Sequence, residues 1–560
     1  MPSLMRTCTL LSALLAVWAA PQVVLQQPSL SKRSLRGRFL QITDMHPDPY
    51  YRNHASQSSA CHRKKPKKEE ERASKYGTPY SECDSPLLLT NFTLDYLEEH
   101  WADEIDFVVW TGDNARHDND RKLPRTLPEI YSLNRAVASK MKSVFSSKGV
   151  PVVPSLGNND VWPHNIMTPG PNGITNEFSS IWRSFIPFPS YQVFQRGAYY
   201  STEVIPNELA VIAMNTMYFY EKNKAVGGCQ YREQDDPGNL QLDWLDVQLD
   251  IFRRRGIQVY ITGHVPPSHN SYHPECYVRY AELALRYQST ILGHLYGHMN
   301  SDHFSFLEAD DLEFISDDKK AGSVIAQEEK KPMDLYHMLL KEYEALPSTF
   351  KKTNEDDFAV INISPPVVPN PYLPTFRVFS YNISDAATDK YRTSKKKKHG
   401  RKRGHRENKK KICRDRPFHD MWKCRLKQAW YSDEDSPSRT NRRLTPLGYA
   451  QYHIPHLEKA GKKHSPEVKL SYVTYSRSML RPEEGFEKDW HYPVPMKQLP
   501  KALREGNWTG HEGEKFLPYE LEDLTVGSWL SLGRRLADRT EKKLRKQYRK
   551  FMYHGLGHEG

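Results

Sequence analysis

Five short clusters carry the residue types that bind hard cations: Asp44-Met-His46, Gly112-Asp113-Asn114, Gly157-Asn158-Asn159-Asp160, Gly263-His264 and Gly297-His298-Met-Asn300. Carboxylate, imidazole and amide side chains recur, with glycine ahead of them in all but the first. Glycine lets the backbone turn sharply, so the following side chain can point into a common site. The chemistry that asks for such a set is hydrolysis at phosphorus. Phosphoryl groups are anionic and resist attack by neutral water. Two divalent cations about 3.5–4 Å apart can generate a hydroxide, hold the phosphate oxygens and stabilise an in-line transition state. Such a pair needs one carboxylate shared by both ions, and Asp113 suits that place. Asp44 and His46 would serve the first ion, and Asn158, His264 and His298 the second. Each cluster alone reads as an ordinary turn; the ordered series of five is what carries the reading.

The clusters need elements to position them, and each follows an apolar run of strand character. Phe39–Thr43, Phe107–Thr111, Val150–Val153, Val259–Thr262 and Ile291–Leu292 precede the five in order. Leu209–Met214 is a further such run. Continuous apolar runs of this length fit strands buried on both faces. Ligands in α/β sheets gather beyond the carboxyl ends of the strands. Leu242, Leu245, Leu249 and Phe252 recur at helical spacing, with Gly256 as a stop signal. Ala359–Ile363 and Phe376–Ser380 return as β-rich runs expected to complete the catalytic sheet. The pattern is α/β.

The ordered series D-x-H, GD, GN, GH and GH-x resembles the calcineurin-like metallophosphoesterases. Its spacing is most similar to the acid sphingomyelinase branch and, within it, to the fungal endopolyphosphatases. Gly157-Asn-Asn-Asp160 and Gly297-His-Met-Asn-Ser-Asp-His-Phe304 carry that resemblance. It implies a central β-sandwich flanked by helices, with charged insertions, and a pair of divalent cations (Mn, Mg, Co or Zn). It also implies hydrolysis of internal phosphoanhydride bonds of inorganic polyphosphate in a vacuole, with proteolytic maturation there. Secretion is the alternative location.

Two departures from the usual pattern bear on mechanism. The motif GNH[DE] reads Asn159 where a histidine normally stands near the leaving group, and an amide cannot act as an acid. GHxH reads Asn300 where a second imidazole normally binds the first metal, which favours harder ions such as Mg or Mn. The resemblance then points to His117, four residues after Asp113, as the catalytic acid. Arg116 beside it is a candidate phosphate contact, since guanidinium matches phosphate oxygens. His303 is expected either near the site or capping a turn, and His269 and His273 are expected to be structural or exposed.

Net charge is +12, but residues 395–411 hold eleven Lys/Arg against one Glu, a share of +10, leaving +2 for everything else. The chain is a near-neutral globule with a basic block, not a uniformly basic nucleic-acid binder. Few aromatics interleave the block, so base stacking is not supported.

Cys8–Ala20 is an apolar run of signal-peptide length behind Arg6, and it reads either as a cleaved signal peptide or as an uncleaved signal anchor. Four sequons, at Asn91, Asn362, Asn382 and Asn507, agree with a lumenal chain. So do the six cysteines outside the leader. Their order suggests pairs 61–83, 229–276 and 413–424, among the fifteen pairings that six cysteines allow.

The expected organisation is a leader over 1–20, a stem over 21–36 and a catalytic domain over 37–385. That domain carries an insertion near 308–357. A basic disordered linker over 386–411 and a C-terminal region of unassigned fold over 412–560 follow. Two other functions remain in view. A sphingomyelinase-type phosphodiesterase would favour a saposin-like domain, for which the stem is too short. A non-catalytic polyanion-binding protein would need the ligand set to have decayed.

Overall fold

The computed structural model describes residues 34–314, 334–384, 412–426, 432–461, 463–481, 491–504 and 511–554. Two six-stranded sheets pack face to face. The strands are β1 (Arg38–Ile42), β2 (Pro47–Asp48), β3 (Ser85–Pro86), β4 (Phe107–Trp110), β5 (Val152–Pro154), β6 (Tyr200–Ile205) and β7 (Leu209–Ala213). They continue with β8 (Gln258–Thr262), β9 (Ile291–Tyr296), β10 (His303–Glu308), β11 (Phe358–Ile363), β12 (Thr375–Tyr381), β13 (Pro446–His453) and β14 (Lys469–Val473). The first sheet runs β14-β13-β12-β1-β4-β5 and the second β10-β11-β9-β8-β7-β6, while β2 and β3 form a small pair.

The apolar runs read from the sequence are these strands. Every residue of β1, β4, β5, β7, β11 and β12 is buried. Phe39 of β1 meets Tyr260 of β8 across the sandwich at 5.0 Å between ring centroids. Gln41 Nε2 donates to the Tyr296 carbonyl at the same layer boundary. Burial of this kind stabilises by about 25 cal/mol per Å² of apolar surface.

β1, β4 and β5 are parallel, as are β7, β8 and β9, so each sheet directs its carboxyl ends one way. Helices cover the outer faces. Pro237–Arg255 buries Leu242, Leu245, Leu249 and Phe252 and ends on Gly256 in the left-handed region, as the spacing requires.

The two returning runs divide between the sheets: β12 pairs antiparallel with β1, and β11 lies between β10 and β9. The stretch 412–560, given no fold from the sequence, is not separate from the catalytic sheet. β13 and β14 extend the first sheet beyond β12, and helix Val526–Ala537 packs on helix Leu335–Ala345 and on β11. That second helix falls inside the span read as an insertion. Described residues from Leu35 onward belong to one compact unit.

Cysteines pair as their order suggests, Cys61–Cys83, Cys229–Cys276 and Cys413–Cys424. Among the sequons, Asn91 is exposed on helix Leu87–His100 and Asn382 is half-buried. Asn362 lies within β11 and is 6% exposed. The leader, the basic block and Asn507 lie outside the described residues. Among those described, no helix is long and apolar enough to cross a membrane.

Candidate metal centre

The five clusters converge where the parallel strands of the two sheets end. Asp44 and His46 follow β1, Asp113 follows β4, Asn158 follows β5, His264 follows β8 and His298 follows β9. Five of the seven candidate ligands, Asp44, His46, Asp113, His298 and Asn300, hold left-handed backbone, with φ between 39° and 69°. That region is sparsely used by non-glycine residues, and such strain concentrates at functional sites. Glycine is required beside them by close approach. A Cβ on Gly157 would lie 2.1 Å from Asp113 Oδ1, and one on Gly297 would lie 2.1 Å from Thr43 Oγ1 and 2.6 Å from Asp44 Oδ2.

Asp113 sits in the middle. Its Oδ2 is 3.4 Å from His46 Nε2 on one side and 3.2 Å from His264 Nε2 on the other. His46 Nε2 lies 3.6 Å from Asp44 Oδ1. On the second side Asn158 Oδ1 is 2.8 Å from both His264 Nε2 and His298 Nδ1, and the two imidazole nitrogens are 3.2 Å apart. Two ligand groups therefore share one carboxylate: Asp44, His46 and Asp113, and Asp113, His264 and His298.

Hydrogen bonds behind the ligands fix which atoms face inward. His264 Nδ1 lies 2.7 Å from the Thr111 carbonyl and His46 Nδ1 2.8 Å from the Ala115 carbonyl, so each presents Nε2 to the site. Asn158 Nδ2 donates to Asn165 Oδ1, which turns its oxygen inward. Asp44 Oδ2 accepts from Thr43 Oγ1 and from the His298 amide. Asp160 accepts from the Asp113, Asn114 and Gly157 amides and so clamps the turn that carries the shared carboxylate. Such outer contacts orient ligands and tune the metal.

The donor set fits a cation pair. With Nδ1 donating to the Thr111 carbonyl, His264 Nε2 faces Asn158 Oδ1 at 2.8 Å, two ligand atoms that a positive charge, metal or proton, can share. Asn300 Oδ1 is buried without a hydrogen bond, and His46 Nε2 meets only the Asp44 and Asp113 carboxylates, at 3.6 and 3.4 Å, an expensive state for polar atoms. Electrostatics agree. Burial disfavours the charged imidazoles of His46 and His264, yet Asp44 and Asp113 push both up to about 9. Burial pushes the Asp113 carboxyl up, but His264 and then His46 pull it well below the usual carboxylate range. His298 is driven down to about 3 by burial and by His264. The pocket is built for positive charge, which protons supply when metal does not.

The three candidate catalytic residues fall into different places. His117 stands beside the first ligand group, its ring stacked on His46 at 3.8 Å. Asp84 holds it, accepting from the His117 amide at 2.5 Å and lying 2.6 Å from Nδ1. Nε2 is thereby left as the outward nitrogen of an Asp–His pair. Asn159 clamps the shared carboxylate, donating from its amide to Asp113 Oδ1 and from Nδ2 to Asp113 Oδ2, both at 2.8 Å. Arg116 is not a phosphate contact. It is 1% exposed. Its guanidinium is consumed by Glu129 at 2.5 Å and by the carbonyls of His117 and Leu123.

Asn300 donates to the Asn370 carbonyl and keeps Oδ1 free. His303 is buried against Ser301, while His269 pairs with Asp311.

Sequence reasoning missed Asp84, Arg125 and His164. Arg125 is buried and donates through Nη1 to the carbonyls of Arg116 and Asn159, tying the His117 loop to the Asn158 loop. His164 is exposed, with Nε2 3.3 Å from Asn158 Nδ2.

The calcineurin-like phosphoesterase family matches residues 37–301. A protein named endopolyphosphatase from Cryptococcus neoformans is 38% identical, covering 93% of this chain and 92% of its own length. Endopolyphosphatases from Candida glabrata (39% identical, 65% of this chain and 64% of theirs) and Saccharomyces cerevisiae (44%, 51% and 43%) also match. A dimetal phosphatase structure from Danio rerio overlaps with 61% of this chain and 92% of its own at 12% identity and a TM-score of 0.31, too slight a likeness to carry weight.

Proposed function

We propose that this chain, which belongs to the endopolyphosphatase family of calcineurin-like phosphoesterases, hydrolyses internal phosphoanhydride bonds of inorganic polyphosphate. The observation that carries the reading is the single carboxylate, Asp113, shared by two converging ligand groups. Two divalent cations held there would supply Lewis acidity toward phosphate oxygens and a water of lowered pKa. The first would be held by Asp44, His46 and Asp113 with Asn300, and the second by Asp113, Asn158, His264 and His298.

The chain's own residues do the rest. Asn159 and Asp160 hold Asp113 and its turn in place, and Asp84 orients His117. His117 Nε2 would hand a proton to the leaving phosphate oxygen, a role supported by its stacking on His46 beside the first ligand group. A phosphate chain is itself a good leaving group, so loss of an imidazole at Asn159 is tolerable. Residence in the vacuole lumen, by a cleaved or anchored leader with protease maturation, is supported by the apolar leader and by disulfides that an oxidising compartment sustains.

The test is to strip metals from the full chain, add back Mg, Mn, Co or Zn singly with long-chain polyphosphate, and read product lengths on a gel. Metal-dependent shortening to intermediate lengths, lost in Asp113→Asn, is the expected result. Intact polyphosphate with every metal, beside cleavage of a phosphodiester substrate, would sink the substrate assignment and leave the fold standing.

A further inference from the structure

Helix Lys542–Met552 carries six Lys/Arg in eleven residues and no acid. Leu544, Tyr548, Phe551 and Met552 are buried and seat it on the body of the protein. Lys542, Lys546 and Lys550, four residues apart, fall on the opposite face and are exposed. Helical residues four apart are neighbours on one face, so the three ammonium groups form a stripe. Two other basic residues of the helix are paired, Lys543 with Glu514 at 3.0 Å and Arg549 with Asp334 at 3.9 Å. The three stripe lysines make no ion pair with any described residue.

The end of the helix is tied by hydrogen bonds to the loop that carries Asn300. The Met552 carbonyl accepts from the Asp302 amide, two residues beyond Asn300. The His554 carbonyl accepts from Tyr80, whose amide donates to the Pro371 carbonyl, and the neighbouring Asn370 carbonyl accepts from Asn300.

The geometry points to this stripe as a docking track for a long linear polyphosphate, holding a part of the substrate that is not being cut. It rests on the function proposed above and deepens it: the helix would favour long chains over short ones. An eleven-residue helix is about 16 Å long, roughly twice the ionic screening distance of about 8 Å at physiological salt. A short oligophosphate bound at the metals would not reach along it. Single-stranded nucleic acid is the less favoured occupant, because both aromatics of the helix are buried and offer no stacking platform.

The test uses the full chain and the triple variant Lys542→Gln, Lys546→Gln, Lys550→Gln, which keeps residues of good helix propensity. Binding of long-chain polyphosphate to the metal-stripped protein is measured beside kcat and KM on long-chain polyphosphate and on tripolyphosphate. The expected result is long-chain binding weakened about tenfold and long-chain KM raised to match, as for loss of a steering field. Tripolyphosphate turnover and Tm stay unchanged, and the difference fades as salt rises. Unchanged long-chain binding and KM in the variant would overturn the track while leaving the activity in place. If the wild type cleaves no polyphosphate, the activity falls, and the metal-free binding arm still decides the track by itself. Single-stranded RNA that displaces polyphosphate at equal charge would overturn the assigned occupant.

Discussion

Arg116 gives a sharp test of how the site is built. Its guanidinium is 1% exposed, pairs with Glu129 at 2.5 Å, and donates to the carbonyls of His117 and Leu123. Arg116→Met leaves the Glu129 carboxylate without its partner. Breaking a buried pair in this way costs about 3–5 kcal/mol. At about 2.1 cal/mol/K per residue, 560 residues have a melting entropy of roughly 1.2 kcal/mol/K. The expected fall in Tm is thus about 2.5–4 °C. Adding Glu129→Met removes the stranded charge and recovers more than half of that fall, while KM for polyphosphate moves by less than about threefold in either variant. Calorimetry and initial-rate kinetics on the same preparations read both quantities. A KM raised tenfold or more at unchanged Tm, with no recovery in the double variant, would mean that Arg116 binds phosphate after all.

Asp84→Asn weakens the bond that orients His117, and kcat falls about 10- to 100-fold with metal content unchanged by elemental analysis. A kcat within threefold of wild type would remove the Asp84–His117 pair from catalysis. Burial pushes the Glu342 carboxyl up to about 7 from 4.5. A raised folded pKa contributes stability that is fully present below 4.5 and is lost as pH rises through about 7, an effect of roughly 3 kcal/mol. Tm should therefore be higher at pH 5 than at pH 8, and Glu342→Gln should flatten the profile; an identical slope in the variant refutes this. The Cys229–Cys276 bond closes a separation of 47 residues. The Cys229→Ser, Cys276→Ser variant should lose about 4 kcal/mol in denaturant unfolding, and a loss under 1 kcal/mol would contradict the loop-closure account.

The metal ligands were legible because each closes an apolar run, and strand ends in parallel sheets are where ligands gather. The helix at Pro237–Arg255 was legible from four apolar residues and a terminal glycine. Asp84 was not, since it lies in the irregular stretch Ser81-Glu-Cys-Asp84, beside the Cys61–Cys83 bond and far from any periodic pattern. Arg116 was misread because a guanidinium beside a candidate acid looks the same in sequence whether it faces phosphate or a buried carboxylate. Glu129, at the first turn of helix Leu127–Val144, decides the matter only once the fold brings it within reach. The C-terminal strands escaped notice because β13 mixes Gly448, Gln451 and His453 among its tyrosines, and its burial comes from the partner strands on both sides.

The Met552 carbonyl bonded to the Asp302 amide has a consequence for the protein's birth. Asp44 leaves the ribosome about 500 residues before the segment that braces the Asn300 loop. At about 5–20 residues per second, that is roughly 25–100 s during which the chain has most of its ligands but not its final brace. Every cysteine bond, by contrast, joins a cysteine to the next one along the described chain, so each can close as it emerges. Oxidation can keep pace with translation, whereas the brace on the Asn300 loop arrives only with Met552. The loop that carries Asn300 is therefore braced by a segment made long after the ligands it helps to hold.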